Sequence, residues 1–485
     1  MTDDGPARSR KGTKIYMAGV GVAQVCALLR YTLLARLLGP EQLGLAVTLI
    51  LTAQFFDSVS DSGSDRFLVQ DEHGDDPRAQ SLVQLLSVAR GFAIAGALLV
   101  FAGPIAWFYN EPGLTVGLMW LGLAPLIGGF LHFDVRRSQR HHDFRREGAS
   151  MMIAEVASLG AMIAAALWTQ SYVAALAGLT VRSLALVLVS QSMAERRYRL
   201  GYSRELAPRL ALFALPLMLN GLVLFLSGQG DRLLVGSQLG IVELGRYSAV
   251  MLLIYFPSAT LMKYLHTMQM PIIVRARASR ATLEEAIDTM AGEALLVSLA
   301  MLAGFAIIAP VAAPFLFGAR FAQPPVIIAL IGVLQVARFI RIWPTTSALA
   351  LGNSRVVLAG NLIRMMTYPA AFAGLWTIGG LEGLTLGIAV AELAGIAIIV
   401  AMTNKALGMR TGVDAGRVLM LVLASVAVTG SAWMMQRYPG MAAWSSCALT
   451  AMVFGVLAWR ERKVVFRLYE TVAMWRMASA KGAGR

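Results

Sequence analysis

The sequence is poor in charge and in cysteine, and each shortage excludes a class of protein. Only 14% of its 485 residues are charged and 57% are hydrophobic, with a mean hydropathy of +0.65. A water-soluble domain of this composition has too little polar surface to cover itself, so the composition indicates a polytopic membrane protein. The two cysteines, Cys26 and Cys447, both lie in apolar runs, which excludes a disulfide framework or a zinc site built on cysteine pairs.

Motifs of catalysis are missing as well. The sequence contains no Ser/His/Asp set, no DxD pair, no Walker loop and no metal-ligand spacing. We therefore predict that the protein is not an enzyme and uses no cofactor or metal. The net charge of +14 is divided among short basic blocks between apolar runs, which favours anchoring to anionic headgroups over binding of nucleic acid.

Apolar runs of membrane-spanning length, about 20 residues, recur along the whole chain. They predict an all-α polytopic membrane protein with about fourteen transmembrane helices. The predicted spans are 14–38, 42–63, 85–109, 113–133, 149–169, 172–193, 210–226, 244–265, 291–317, 325–348, 356–378, 381–403, 418–435 and 441–459.

Lysine and arginine fall in alternate connections between these spans. They cluster in segments such as 136–146 and 196–209, whereas opposite connections such as GPEQ and NEPG carry almost none. The positive-inside rule and the even span count then place both termini in the cytoplasm. The acidic connection after the second span is an exception, but acidic residues weigh little in this rule.

A turn in the first helical hairpin returns about 200 residues later. LGPEQLG at 38–44 matches LGIVELG at 239–245, and GPIA at 103–106 matches APVA at 309–312. These matches predict two six-helix bundles related by a parallel pseudo-two-fold, since each half contains an even number of spans. The predicted organisation is a cytoplasmic N-terminal tail (1–13), an N-terminal six-helix bundle (14–193), a cytoplasmic linker (194–209), a C-terminal six-helix bundle (210–403), appended helices 13 and 14 (416–459) and a basic cytoplasmic tail (460–485).

Several ionised side chains lie inside the predicted spans, where each costs about 2.5 to 3.5 kcal/mol at a helix centre. Arg30 lies in the outer half of the first span, whereas Asp57 and Asp61 lie in the inner half of the second, on one face by their i, i+4 spacing. Their depths differ by roughly a dozen Å, so we do not pair them with Arg30. Glu155 and Arg182 share a depth on adjacent spans and predict a structural ion pair.

A second group of charges lies in the C-terminal half. Arg338, Arg341 and Arg364 share a mid-membrane level with Glu392, which can neutralise one of them. Two interpretations stay open for the other two cations. They either reach the interface or backbone carbonyls, or they line a cationic cavity that receives an anionic headgroup.

Several stretches of the sequence resemble a known transporter family. ARLLGPEQLGLAVTL, DSGSDRFLVQ, RGFAIAGALLVFAGPIAWFY, RRSQRHHDFRRE and DRLLVGSQLGIVELGRYSAVMLL are similar to the polysaccharide transporter family, the Wzx-type flippases of the multidrug/oligosaccharidyl-lipid/polysaccharide (MOP) exporter superfamily. The resemblance implies a V-shaped pair of six-helix bundles that works by alternating access. It also implies flipping of undecaprenyl-pyrophosphate-linked oligosaccharide units across the bacterial cytoplasmic (inner) membrane.

The resemblance further implies roles for the intramembrane charges. Its expected partners are the lipid-linked oligosaccharide, membrane lipids, a polysaccharide polymerase and a chain-length regulator. The resemblance carries over only to Arg30, as a candidate substrate-binding residue, and to Asp57, as a candidate ion-coupling residue. The charges inside the spans add Arg338, Arg341 and Arg364 as substrate-binding candidates and Asp61 as a second ion-coupling candidate.

Other functions fit parts of the pattern. A cation-coupled drug exporter or a lipid II exporter of the same superfamily would share the fold, although drug exporters favour acidic cavities and this membrane region is rich in arginine. A membrane polysaccharide polymerase would need a large outer loop, and every predicted outer loop is short. A scaffold without transport would not need charges inside its spans. The flippase is therefore the preferred hypothesis.

Overall fold

The computed structural model describes residues 5–141, 143–408 and 415–438, with residues 451, 454, 455 and 459. Every regular element in these residues is helical, which confirms the predicted all-α fold. The α-helices are α1 (Gly5–Val59), α2 (Ser64–Gln70), α3 (Pro77–Phe108), α4 (Leu114–Leu121), α5 (Leu123–Gly128), α6 (Asp134–Arg140), α7 (Arg145–Thr169), α8 (Val173–Ser192), α9 (Leu206–Leu239), α10 (Ile241–Ala276), α11 (Arg280–Phe317), α12 (Pro325–Ile340), α13 (Ile342–Ala350), α14 (Ser354–Ile363), α15 (Thr367–Thr377), α16 (Gly380–Leu407) and α17 (Ala415–Arg437).

Helix α1 contains both predicted spans of the first hairpin. It kinks at Gly39, whose φ of 80° and ψ of 177° suit a residue without a Cβ, and Pro40 opens the second arm without a helical N–H. The second arm ends at Val59, before the predicted end at Gly63. Asp61 therefore lies in the turn before α2, and the predicted helical face shared by Asp57 and Asp61 is wrong.

Eleven helices of the described part are long and apolar enough to cross a membrane, and the first of them (Ile15–Val59) includes both arms of α1. Helices α9, α10 and α11 have 34, 36 and 38 residues, because each continues through mixed polar and apolar residues beyond the apolar run that was used to predict its span. The predicted fourth span is shorter than expected and divides into α4 and α5. The predicted fourteenth span and the basic tail lie outside the described residues, apart from residues 451, 454, 455 and 459.

The chain divides into two compact units. The first comprises Met1–Ala249 with Leu316–Phe321, and the second comprises Val250–Phe315 with Ala322–Arg485. The first unit thus includes α9, which the predicted organisation assigns to the C-terminal bundle. The predicted bundles follow the internal sequence repeat, whereas the compact units follow packing. The two divisions are not equivalent, so the bundle boundaries at 193 and 210 stay predictions.

The repeated turn is visible in the backbone of the first unit. Gly240, between α9 and α10, has a φ of 87° and so matches the kink of α1. Gly44 packs on the backbone of Ile241, and Gly245 packs on the backbone of Pro40. A Cβ at Gly44 or Gly245 would collide with a carbonyl oxygen of the other turn. These two glycines therefore allow the two turns to lie directly against each other.

Small residues also bring α1, α7 and α8 together. Gly19 on α1 faces Gly148 on α7, and a Cβ on either residue would collide with the backbone of the other helix. Between α7 and α8, the buried hydroxyl of Ser158 donates to the backbone oxygen of Gly178 at 2.8 Å. Close contacts of this kind are how membrane helices gain packing energy without a hydrophobic driving force.

Helix α12 forms the centre of the second unit, where it packs against α16 and α17. In the span Pro325–Ala350, 94% of the most apolar window is buried. The arginines of the predicted tenth span therefore lie in the interior of this unit.

Candidate functional site

A cavity of about 220 Å³ lies inside the first unit. Its wall is formed by the second arm of α1, by α3, by α4 and α5 with the residues that follow, and by α8. Most of the lining residues are small or apolar, but Asp57, Arg90 and Arg182 are charged. A mostly apolar cavity with a few convergent polar groups is the usual form of a binding site.

Glycines set the separation of the helices that form this wall. Gly91 on α3 lies against the backbone of Pro125, and a Cβ at Gly91 would lie 2.6 Å from the Pro125 oxygen. Gly129, just after α5, lies against the backbone of Ser87 on α3. This close contact fixes the position of α3, the helix that carries Arg90.

Asp57 and Arg90 form an ion pair at the cavity. The Nη2 atom of Arg90 lies 3.0 Å from Oδ1 of Asp57, and its Nε donates to the Ser60 hydroxyl at 2.7 Å. The side chain of Asp57 is 69% exposed and that of Arg90 is 33% exposed. The carboxylate is therefore held by an arginine and is still accessible to a proton, an ion or a substrate group.

Asp61 belongs to an adjoining space. Its Oδ1 accepts the N–H of Gly63 at 3.0 Å, and its Oδ2 lies 3.4 Å from Nη2 of Arg66. Asp61 lines a second cavity of about 200 Å³, and Arg90 lines both cavities. The structure therefore places Asp57 and Asp61 in neighbouring cavities that share one arginine.

Glu155 on α7 holds two arginines of the same unit. Its Oε1 accepts from Nε of Arg182 at 2.5 Å, and its Oε2 pairs with Nη2 of Arg30. The side chain of Glu155 is 9% exposed, that of Arg30 15% and that of Arg182 40%. Arg182 lines the 220 Å³ cavity, whereas Arg30 is not among its lining residues.

Sequence reasoning found one half of this arrangement and missed the other. It predicted the pairing of Glu155 with Arg182, which lie 27 residues apart on a helical hairpin. It named Arg30 as a candidate but missed its pairing with Glu155, 125 residues away, because local spacing does not reveal that α1 packs on α7. It also missed Arg90, although this residue lies in a predicted span and carries the same signal as Arg30, a charge in an apolar run.

In the second unit, three arginines surround one buried carboxylate. Glu392 on α16 lies 3.3 Å from Nε of Arg338, 3.4 Å from Nη1 of Arg341 and 3.3 Å from Nε of Arg364. The side chain of Glu392 is 1% exposed, and those of the arginines are 13%, 7% and 16% exposed in the same order. The sequence predicts that Glu392 neutralises one arginine, whereas the structure gives it contacts with all three.

These arginines lie beside breaks in the helices that carry them. Arg341 separates α12 from α13, and its Nη2 donates to the backbone oxygen of Gly360 at 2.6 Å. Arg364 begins the 3-10 turn Arg364–Met366 between α14 and α15. Glu392, in the middle of the continuous helix α16, therefore connects two interrupted spans.

A third charged cluster lies outside the spans, between α5 and α7. Asp134 is fully buried and accepts from Nε of Arg137 at 2.7 Å and from the N–H of Glu195 at 2.8 Å. Burial opposes ionisation, but these hydrogen bonds outweigh it and lower the pKa of Asp134. Burial also lowers the pKa of neighbouring His132, against the attraction of Asp134.

The helical fold is similar to that of two solved membrane transporters. An inward-facing multidrug resistance MATE family transporter of the MOP superfamily superposes with a TM-score of 0.61 at 15% identity, over 81% of this chain and 98% of that one. The lipid II flippase MurJ in an inward closed conformation gives a TM-score of 0.61 at 12% identity, over 93% of this chain and 99% of that one. At these identities the likeness shows the fold alone.

The sequence itself identifies the family. A family described as "Polysaccharide biosynthesis protein" matches residues 33–324, more than half of the chain, and the protein belongs to that family. A curated relative is the succinoglycan biosynthesis transport protein ExoT of Rhizobium meliloti (strain 1021), 30% identical over 228 residues. That alignment covers 45% of this chain and 44% of ExoT, less than half of either protein. The resemblance to the polysaccharide transporter family is thereby confirmed.

Proposed function

We propose that this protein is a flippase that moves undecaprenyl-pyrophosphate-linked oligosaccharide repeat units across the bacterial inner membrane for surface polysaccharide synthesis. The family membership and the name of the ExoT relative support transport in polysaccharide biosynthesis. The observation that carries the proposal is the cavity of the first unit, in which Arg90 and Arg182 lie with Asp57.

A pyrophosphate group needs partners of this kind. Its charge cannot enter hydrocarbon unpaired, and guanidinium groups give charge-assisted, often bidentate hydrogen bonds to phosphate. Of the two cavity arginines, Arg182 is better placed to bind the pyrophosphate. Its side chain is 40% exposed, and it donates to Glu155 through its Nε. The prenyl chain would stay in the lipid while the pyrophosphate meets this arginine.

The remaining candidate residues enter the proposal in different ways. Arg30 acts through Glu155, because both it and Arg182 bind that carboxylate. Arg338, Arg341 and Arg364 would bind an anion in a state in which they release Glu392. Asp57 would couple an ion or proton to the conformational cycle, since binding at the carboxylate weakens its attraction to Arg90. Asp61 is a second coupling candidate in the adjoining cavity.

The proposal also specifies the orientation of the protein in the membrane and its partners. Both termini lie in the cytoplasm, so the substrate is loaded on the side that carries the basic connections. A polysaccharide polymerase and a chain-length regulator would take the flipped units. The proposed activity moves a molecule between leaflets and breaks no bond, so it requires no catalytic group.

Flipping of a fluorescent undecaprenyl-pyrophosphate oligosaccharide in proteoliposomes tests the proposal. We expect protein-dependent flipping by the wild type and a loss of about tenfold or more in Arg182→Gln, the effect of one lost charge-assisted bond. Arg204→Gln, which removes an exposed arginine outside the cavity, is the matched control and should flip at the wild-type rate.

A folded wild type that flips none of several sugar heads would refute the proposal. Export of a cationic dye under an ion gradient by the same preparation would then identify a drug exporter. Equal losses of flipping in Arg182→Gln and Arg204→Gln would leave the flippase activity supported but would contradict the cavity as the substrate-binding site.

A further inference from the structure

A separate cavity of about 210 Å³ lies between the first turns of α3 and the segment that joins α8 to α9. It shares no lining residue with the cavity around Asp57. Three arginines, Arg196, Arg197 and Arg199, line it on one side, and Gln80 and Gln84 line it from α3. None of its lining residues is acidic.

The side-chain amide of Gln84 has an N–H donor that lacks a hydrogen-bond acceptor. The residue is 1% exposed, and its Oε1 accepts the N–H of Arg199 at 3.4 Å. Because the amide oxygen makes this contact, the other amide atom is the donor nitrogen, Nε2. Nε2 is buried and has no hydrogen-bond partner among the described residues. Buried polar groups normally have partners, so an acceptor oxygen in the cavity would complete this site.

Arg196 is fixed in the wall of the cavity. Its Nη1 donates to the backbone oxygen of Asp75 at 2.9 Å and lies 3.3 Å from Oε1 of Gln80, a side chain that is 3% exposed. Arg197 and Arg199 are exposed and can turn toward a ligand. The cavity therefore combines one preorganised guanidinium with two adaptable ones.

The start of helix α3 adds to the positive potential. Pro77, its first residue, lines the cavity, and the helix runs for 32 residues. The amino end of such a helix carries a partial positive charge that favours anions. Asp76 caps this end by accepting the N–H of Arg78 at 2.8 Å, and the remaining positive charge of the site comes from the three arginines.

We propose that this cavity binds a phosphate group, either in the headgroup of an anionic lipid or in a soluble phosphate compound. Three guanidinium groups, an unsatisfied amide donor and a helix amino end are the groups that recognise phosphate. The joining segment begins where α8 leaves its apolar run and ends where α9 begins one, which is the level of lipid headgroups. This site does not depend on the flippase proposal.

Native mass spectrometry of the full chain in neutral detergent tests the site. Phosphatidylglycerol, phosphatidylcholine and glycerol phosphate serve as probes, at near-physiological salt so that diffuse attraction is screened. We expect one molecule of phosphatidylglycerol to bind, with an affinity about tenfold higher than that of phosphatidylcholine. Arg197→Gln with Arg199→Gln should remove this preference, and Gln84→Leu should weaken it.

Arg204→Gln with Arg277→Gln is the matched control, since it removes the same charge from exposed residues outside the cavity. It should keep the preference. Binding of glycerol phosphate as tight as that of phosphatidylglycerol, with the same dependence on Arg197 and Arg199, would identify a soluble phosphate as the ligand. Equal losses in the two double variants, or no loss in Gln84→Leu, would overturn the site and leave only a general attraction of the basic surface for anions.

Discussion

The two units solve the problem of intramembrane charge in different ways. In the first unit, Glu155 binds two arginines, and one of them, Arg182, faces a cavity. In the second unit, Glu392 binds three arginines, none of whose side chains is more than 16% exposed. The same residue types therefore form an accessible site in one unit and an interior connection between helices in the other.

This difference shows why a charge in an apolar run is an incomplete signal of function. The charge costs free energy in either case, so it needs a partner. What separates the two units is whether the partner leaves part of the guanidinium accessible. Substitutions can change the pairing of an arginine with its carboxylate separately from the exposure of that arginine.

Removal of the charge of Glu392 should have the largest effect. Glu392→Gln takes the shared carboxylate from buried Arg341 and from the mostly buried Arg338 and Arg364. We expect a loss of about 3 to 5 kcal/mol in stability, since removing one partner of a buried ion pair is strongly destabilising. Thermal unfolding in detergent, followed by tryptophan fluorescence, measures it. Glu382→Gln, at the less buried start of the same helix, is the control; equal losses in both variants would contradict the assignment.

Glu155→Gln should cost less, about 1 to 3 kcal/mol. Arg182 can be solvated through the cavity after the carboxylate is neutralised, whereas Arg30 is mostly buried. The same unfolding assay ranks the two variants. A greater loss for Glu155→Gln than for Glu392→Gln would reverse our comparison of the two units.

Acid should reveal a smaller effect that lies outside both intramembrane clusters. Burial lowers the pKa of His132 below its unfolded value of about 6.5, so the unfolded state binds more protons just below that pH. Its contribution to stability is complete above about pH 6.5 and decreases as the pH falls toward the lower folded pKa, by at most about 1.4 kcal/mol per unit.

Unfolding curves of the wild type and His132→Gln between about pH 5 and 7 measure this contribution. The variant should lose that part of the slope, and parallel curves would refute it. Asp134 does not affect the slope of stability against pH in this range. Its pKa is lowered, so its contribution to stability is lost only at more acidic pH.

Asp57→Asn should change stability least, by less than about 1 kcal/mol, because an exposed ion pair contributes little. Its side chain is 69% exposed and sits on the cavity. If Asp57 couples an ion, the variant keeps its fold but no longer responds to an imposed pH or sodium gradient in the flipping assay. Unchanged gradient dependence would remove Asp57 from the coupling role.

The sequence predicted what depends on local pattern. The apolar runs predicted the all-α class and the position of the first hairpin, and the turn motif at 38–44 was matched by a turn of the same backbone conformation at Gly240. The pairing of Glu155 with Arg182 could be predicted because adjacent antiparallel spans have a known relation in depth.

Sequence reasoning failed where pairing depends on packing between distant segments. Nothing near Arg30 indicates Glu155, and nothing near Asp57 indicates Arg90. The error over Asp61 had a local cause, since α1 ends at Val59 and Gly63 takes a left-handed φ of 61°. A carboxylate that accepts the N–H of that glycine stabilises a turn, and a hydropathy window does not distinguish this from a helix.

The contact between the two turns has a consequence for biogenesis. The first turn leaves the ribosome roughly 200 residues before Ile241, the residue against which Gly44 packs. At a synthesis rate of about 5 to 20 residues per second, the first hairpin waits in the bilayer for about 10 to 40 seconds before its partner exists. During that interval Gly44 lacks its contact with Ile241, so the order of synthesis makes this turn a point at which assembly can be assisted or misdirected.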